Sequence, residues 1–343
     1  MSSKTLGNIG VFEKEGQRFS KASRQRAPTT LPPVTQDEYT VHSADDYASI
    51  VDKMETYGLC VVKNFLSRDT CDQISHELEP HYYRDESWQG SPFPRQTTVV
   101  TRCALRSPTT LHKVIDSKLF TSISSHFLEE SNYFWIGEGA RVATSGIHLN
   151  SGIAYRVGSG AADQRYHRED MIHHTFHERR QTYHYGDDTL VGLGLALTEM
   201  SEANGATRAI IGSHLWGSHD PTAEYDRRLE AYLNVEKGDA VLMLGSLYHA
   251  ASANSTANDR ISAYFFMTKA YLRQEENLHL DTAKEDFRGL SLRTLGLLGL
   301  HTSDPFCGHI DYKSPAFTVC PELETEALRN IAQYKNLGVE LVD

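Results

Sequence analysis

The chain is short of the features that most often reveal a protein's class. It has five cysteines in 343 residues, an odd number with no C-x-x-C pair. That excludes a disulfide framework or a structural zinc knot and suits free thiols in a reducing compartment. No apolar run reaches the ~20 residues that span a bilayer, and residues 1–36 hold no apolar segment of the secretory kind. No Lys/Arg block stands out and the net charge is −11, which argues against a nucleic-acid groove or an anionic-membrane surface. The expectation is a cytoplasmic protein with no nucleic-acid or membrane partner.

A hydrophobic fraction of 39% is enough to bury a large core. Residues 1–36, with Pro32-Pro33 and many polar side chains, are expected to be a flexible leader. Residues 37–343 are expected to form one domain. Apolar spacing predicts a helix over 44–57 stopped by Gly58, then a buried strand over 59–62. Ser67 is placed to cap a helix running through Glu79. A strand is expected over 97–103 and one long amphipathic helix from Thr109 to about Leu128. From 132 to 268 the texture changes to short β-rich runs, at 133–136, 147–157, 190–197, 206–211, 240–247 and 261–268, punctuated by Gly, Asn, Asp and Ser. The fold class this implies is mainly β with flanking helices, around a jelly-roll, cupin-like core. A helical tail is expected over about 272–343, including the leucine-rich stretch 290–300.

The chemistry concentrates in His167-Arg168-Glu169, His249 and Arg260-Ile261-Ser262. Residues i and i+2 of a strand project to one side, so His167 and Glu169 can face one ion while Arg168 turns away. His249, at the end of a buried run, completes two imidazoles and a carboxylate, the smallest set that holds an open Fe(II). Asp170 would point to the opposite face. Along 260–268 the even-numbered residues share a face, with Arg260 able to fork onto a carboxylate and Ser262 to donate beside it. Thr207, in Asn204-Gly205-Ala206-Thr207, and Gln164 are further candidates for a co-substrate oxygen. Phe266 and Thr268, with Val99, Thr101, Met171 and His173, are the candidates for an apolar substrate pocket. Seventeen histidines make H-x-E a common accident. His173, His174, His177, His214 and His219 are read as loop or supporting residues, since none comes with a matched carboxylate and guanidinium.

These segments resemble the phytanoyl-CoA dioxygenase-like Fe(II)/2-oxoglutarate oxygenases, and most closely the branch serving fungal secondary metabolism, with its meroterpenoid and alkaloid oxygenases. The carrying residues are Gln164 to Asp170, Asn204 to His214, and Gly238-Asp239 through His249 to Arg260. The resemblance implies a double-stranded β-helix and a metal held by His167, Glu169 and His249. It also implies 2-oxoglutarate held by Arg260, Gln164 and Thr207, with Ser262 beside the anchor. The expected reaction uses Fe(II), 2-oxoglutarate and O2. It oxidises a lipophilic polycyclic metabolite by hydroxylation, desaturation, epoxidation or rearrangement, and releases succinate and CO2. One departure stands out: the branch carries H-x-D, and this chain has Glu169. A second reading therefore takes the chain as a non-catalytic paralogue that pairs with an active oxygenase subunit. A homodimer is a further possibility, and a third reading is a cupin-like zinc or manganese hydrolase or isomerase on the same ligands.

Overall fold

A computed structural model describes residues 31–84, 93–220 and 222–324. In chain order these form β1 (Thr40–Val41), α1 (Tyr47–Tyr57), β2 (Leu59–Val62), α2 (Arg68–Leu78), β3 (Thr97–Val100), α3 (Cys103–Arg106), α4 (Pro108–Thr110), α5 (Lys118–Leu128), β4 (Glu130–Ile136), β5 (Gly139–Ser145), β6 (Ile147–Val157), β7 (Leu190–Ala196), β8 (Thr207–Ile210), β9 (Glu230–Tyr232), β10 (Ala240–Leu244), β11 (His249–Ala251), β12 (Arg260–Lys269), α6 (Leu292–Leu297) and α7 (Ala316–Val319). Helix boundaries follow local chemistry. Asp46 accepts from Ser49 N–H at 3.3 Å to open α1. Gly58, at φ 86, takes the left-handed turn that closes it, a conformation that costs other residues their Cβ clearance. Ser67 caps α2 as expected.

The helix expected from Thr109 to Leu128 is instead broken. After α4 a wide π turn spans Leu111–Ile115, and Ser117 sits extended (ψ 140) while its hydroxyl accepts from Phe120 N–H to start α5 anew. A cap formed in mid-run thus competes successfully with helix continuation. The strand expected over 97–103 stops at Val100, and Cys103 already begins α3.

Seven strands form one sheet in the order β1-β2-β10-β7-β12-β6-β3, and three form a second in the order β11-β8-β9. The helices cover the outer face of the large sheet. Ile50 and Met54 of α1, Ile74 and Leu78 of α2, and Phe120 and Ile123 of α5 pack on the outward residues Leu193, Leu195, Leu242 and Phe265. Each fully buried aliphatic or aromatic side chain of this kind contributes about 1.5–3 kcal/mol. The inner face is closed by the small sheet, where Val61, Ala196, Val241 and Met243 meet Ala206, Ala209, Ile211 and Leu233. This is the double-stranded β-helix expected from the sequence. β4 and β5 form a separate hairpin.

The expected leader lies outside the described residues as far as residue 30. From Leu31 the chain packs instead, with Leu31 and Val34 against the inter-sheet core. Between 272 and 324 the chain is mostly turns with α6, α7 and short 3-10 segments; the rest of the expected helical tail lies outside the described residues. Among the described residues no helix is long and apolar enough to cross a membrane.

Two buried histidines give the fold a pH dependence. Burial pushes His148 down to about 3 and His214 down to about 4, so both are neutral in the folded chain at pH 7. Unfolded histidine takes up a proton near 6.5, so stability is full above that pH and falls as pH drops toward 4. The loss expected at pH 4.5 is about 2–3 kcal/mol for each residue. Urea unfolding between pH 7.5 and 4.5 checks this, and the pair His148→Gln/His214→Gln should flatten the slope. An unflattened slope places the pH sensitivity elsewhere.

Candidate metal and co-substrate site

His167 and His249 are far apart in sequence but directly opposed in space. Each backbone N–H donates to the other's carbonyl, at 3.1 and 3.0 Å, making an antiparallel bridge that adds the His167 stretch beside β11. The two rings stand 4.6 Å apart. Each Nδ1 lies against the carbonyl two residues earlier, Arg165 at 3.0 Å and Leu247 at 3.1 Å. With Nδ1–H donating there, both Nε2 lone pairs point inward. They converge on Glu169 Oε1, at 3.4 Å from His167 and 3.2 Å from His249. Donor atoms of the three residues all lie within 4.8 Å of one another. Burial pushes the Glu169 carboxyl up, but in the absence of an ion the adjacent His167 and His249 rings outweigh it, once they carry a proton toward it, and hold it well below the usual carboxylate range. Two neutral-capable imidazoles and a charged carboxylate fit a divalent ion with open positions.

Glu169 is not in a strand, as the i, i+2 argument supposed. It begins a 3-10 turn (Glu169–His173) after an extended Arg168, and its N–H donates to Gly245 O at 3.0 Å. Arg168 does turn away, but into the protein. It is buried, donates to the carbonyls of Ser246 (2.6 Å), Ser213 (3.0 Å) and Trp216 (2.7 Å), and lies over the Tyr248 ring. It thereby ties the Glu169 segment to the turn that delivers His249. Asp170 also points away and bonds His177 Nε2 at 2.6 Å. Behind it, Asp188 accepts from Ser246 N–H at 3.0 Å, and burial, then the Asp170 charge, pushes Asp188 up to about 6.

A cavity of about 80 Å3 lies between the sheets beside the three donors. Arg260 lines it, almost wholly buried. Its Nη2 donates to Gly205 O at 2.7 Å, its Nη1 donates to Ser262 Oγ, and its Nε has no partner. Among the described residues no carboxylate pairs with it. A buried guanidinium bonded only to neutral groups retains its demand for an anion. Ser262 does not line the cavity, and its hydroxyl accepts from the Arg260 guanidinium. Thr207 and Gln164 do line it. Thr207 Oγ1 lies 2.5 Å from Tyr264 Oη, and Gln164 Oε1 accepts from Ala251 N–H at 3.1 Å.

Of the six substrate-pocket candidates only Phe266 lines the cavity. Thr268 shares its face but donates to Thr189 O, and His173 lies within reach of the Arg273 carbonyl at 3.1 Å. Met171 is exposed on the outside of the 3-10 turn. Val99 is bracketed by Tyr155 and Tyr83, and Thr101 follows the end of β3. Thr97, Tyr155 and Val157 take the wall instead, with Phe93 edge-on to Tyr155 at 5.4 Å. The alternation along β6 opposite β12 was the available signal for Tyr155 and Val157. Arg168 gave none, since its partners are backbone carbonyls. The other candidate histidines are engaged elsewhere: His214 with Glu55 O and His219 with the Phe176 ring.

The phytanoyl-CoA dioxygenase family model matches residues 54–262, a span holding all three donors and Arg260. An uncharacterised protein of Saccharomyces cerevisiae, YJR154W, is 58% identical over 92% of this chain and 90% of its own length. The dioxygenase cnsJ of Penicillium expansum is 32% identical over 88% of this chain and 91% of its own. HygX of Streptomyces hygroscopicus, solved with nickel and 2-oxoglutarate bound, has a TM-score of 0.50 at 14% identity, covering 71% of this chain and 94% of that one; this likeness bears on the fold alone. Fold and site together define a 2-oxoglutarate-dependent dioxygenase, an enzyme using Fe(II), 2-oxoglutarate and O2. The chain belongs to the phytanoyl-CoA dioxygenase family.

The Arg168 clamp yields a prediction. Arg168→Ala should lower Mn(II) affinity about ten- to a hundred-fold, the usual range for groups that orient ligands from behind. Calorimetric titration measures it; wild-type affinity would mean that the two ligand segments keep their places without the guanidinium.

Proposed function

We propose that His167, Glu169 and His249 hold the Fe(II), and that Arg260 takes the distal carboxylate of 2-oxoglutarate, with Thr207 and Gln164 beside it and Ser262 fixing the guanidinium. The observation that carries this reading is a buried cation without a counter-charge, facing the cavity that the three donors also face. When bound, the iron activates O2 with oxidative decarboxylation of the keto acid to succinate and CO2. The chain's own part is to bind, orient and exclude water.

The cavity wall also speaks to the substrate. Apart from Glu169, Arg260 and the two imidazoles, the described residues lining it carry no ionisable group except two tyrosines, and Phe93, Pro94, Val157, Tyr264 and Phe266 are apolar or aromatic. Once an ion and a keto acid occupy their places, no formal charge remains for the substrate to meet. We take the oxidised substrate to be a lipophilic, neutral small molecule at its reacting portion, of the polycyclic secondary-metabolite kind, with Phe266 among its contacts. Glu169 reaches both imidazoles despite its extra methylene, which favours a catalytic subunit over a non-catalytic paralogue. We take residues 37–343 as one oxygenase domain.

Arg260→Ala should weaken 2-oxoglutarate binding roughly ten- to a hundred-fold, as loss of hydrogen bonds to a charged group of about 1.5–3 kcal/mol implies. Fe(II) or Mn(II) affinity should stay within about twofold. Anaerobic titration, following the weak visible band of the Fe(II)–keto acid chelate, reads the first, and calorimetry reads the second. Equal loss of both would make Arg260 a structural residue. His249→Ala should abolish substrate-stimulated succinate formation, and retained turnover would show that another side chain holds the metal.

A further inference from the structure

β7 reads Leu190-Val191-Gly192-Leu193-Gly194-Leu195-Ala196 and lies in the middle of the large sheet, between β10 and β12. Val191, Leu193 and Leu195 point outward under the helices, so the two glycines share the inner face. Each glycine in a strand interior costs about 0.5–1 kcal/mol relative to alanine. Two at alternate positions of a central strand call for a physical reason.

Cross-strand register supplies it. Gly194 pairs with Tyr264 and Gly192 with Phe266, two of the rings that line the cavity. A Cβ at 194 would lie 2.5 Å from Tyr264 Cε1 and 3.0 Å from its Cζ; one at 192 would lie 2.5 Å from Phe266 Cε1. No side chain fits there while the rings stay put. Both rings therefore lie across the glycine backbone, and the room above them stays open. From that seat the Tyr264 hydroxyl reaches Thr207 Oγ1 on the opposite sheet, at 2.5 Å, four residues along β12 from Arg260. Neighbouring glycine in this register is what lets a full-sized tyrosine both line the chamber and leave it open.

We propose that Gly194 is a positioning residue for the co-substrate. It seats Tyr264 so that the Tyr264–Thr207 bond closes beside Arg260, and any side chain at 194 drives the ring into the space the keto acid needs. Gly192 does the same for Phe266, further from Arg260, and so governs the room left for substrate. This inference rests on the assignment of Arg260 as keto-acid anchor.

The test is a binding measurement on the Mn(II)-loaded full chain, with 2-oxoglutarate titrated into the wild type, Gly194→Ala, Gly192→Ala, Tyr264→Leu and Gly194→Ala/Tyr264→Leu. Gly194→Ala should raise the Kd at least about tenfold with Mn(II) affinity unchanged, and Gly192→Ala less than about threefold. In the Tyr264→Leu background, where the clashing ring is gone, adding Gly194→Ala should change Kd less than about twofold, the non-additivity of residues in direct contact. A crystal structure of Gly194→Ala should show Tyr264 Oη beyond the ~3.5 Å hydrogen-bond limit from Thr207. Wild-type Kd in Gly194→Ala, equal losses in the two glycine variants, the same increment in both Tyr264 backgrounds, or an unmoved Tyr264 in the crystal each overturns the inference. Arg260→Ala in the same titration tests the Arg260 assignment separately, since it should lose keto-acid affinity whatever the glycine variants do.

Discussion

Two backbone hydrogen bonds between His167 and His249 fix the rest of the site. An antiparallel bridge dictates where both Cβ atoms point, and here they point into the space between the sheets. The Arg165 and Leu247 carbonyls then choose the ring orientation, because each occupies Nδ1 and leaves Nε2 for a ligand role. Glu169 is added by a change of backbone geometry immediately after the bridge, where the extended chain turns into a 3-10 segment anchored on Gly245. Arg168 is the brace for this whole corner. Buried charge is expensive unless its hydrogen bonds are made, and three carbonyls from two separate turns supply them.

Electrostatics organise the chamber in the same way. It holds one partly buried carboxylate, flanked by imidazoles, and one buried guanidinium bonded only to neutral oxygens. In a low-dielectric space both charges call for partners of opposite sign. A divalent cation at the first and a dicarboxylate at the second make the formal charges of the filled chamber cancel. The remaining wall is aromatic and aliphatic, and the two glycines of β7 keep that wall thin where Tyr264 and Phe266 lie on it. The helices serve the chamber from outside, by covering the large sheet's outer face.

Much of this was legible in the residues. The alternating face of β12, from Arg260 through Tyr264 to Phe266, needed only strand periodicity, whereas His167, Glu169 and His249 were named from ligand chemistry and the family resemblance, and Glu169 arrives through a 3-10 turn and not through strand alternation. Gly58 and Ser67 announced their helix ends through local hydrogen bonding. What the residues hid depends on long-range pairing or on competition between equally good local options. The helix over 109–128 has the right periodicity throughout, yet a π turn over Leu111–Ile115 and the Ser117 cap interrupt it. Val99 lies on the correct face, yet Tyr155, its neighbour on β6, takes up the wall position. Met171 and His173 were misplaced because the chain leaves the extended conformation at Glu169, which rotates every later side chain. Thr268 lies on the predicted face, but bonding to Thr189 O draws it out of the chamber.

The most direct test of the central claim is an anomalous-diffraction map from crystals of the full chain grown with Mn(II) and without oxygen. A single strong peak should stand within bonding distance, about 2.0–2.3 Å, of His167 Nε2, His249 Nε2 and a Glu169 carboxylate oxygen. A peak on the Asp170–His177 pair, or one that omits Glu169, would contradict the account.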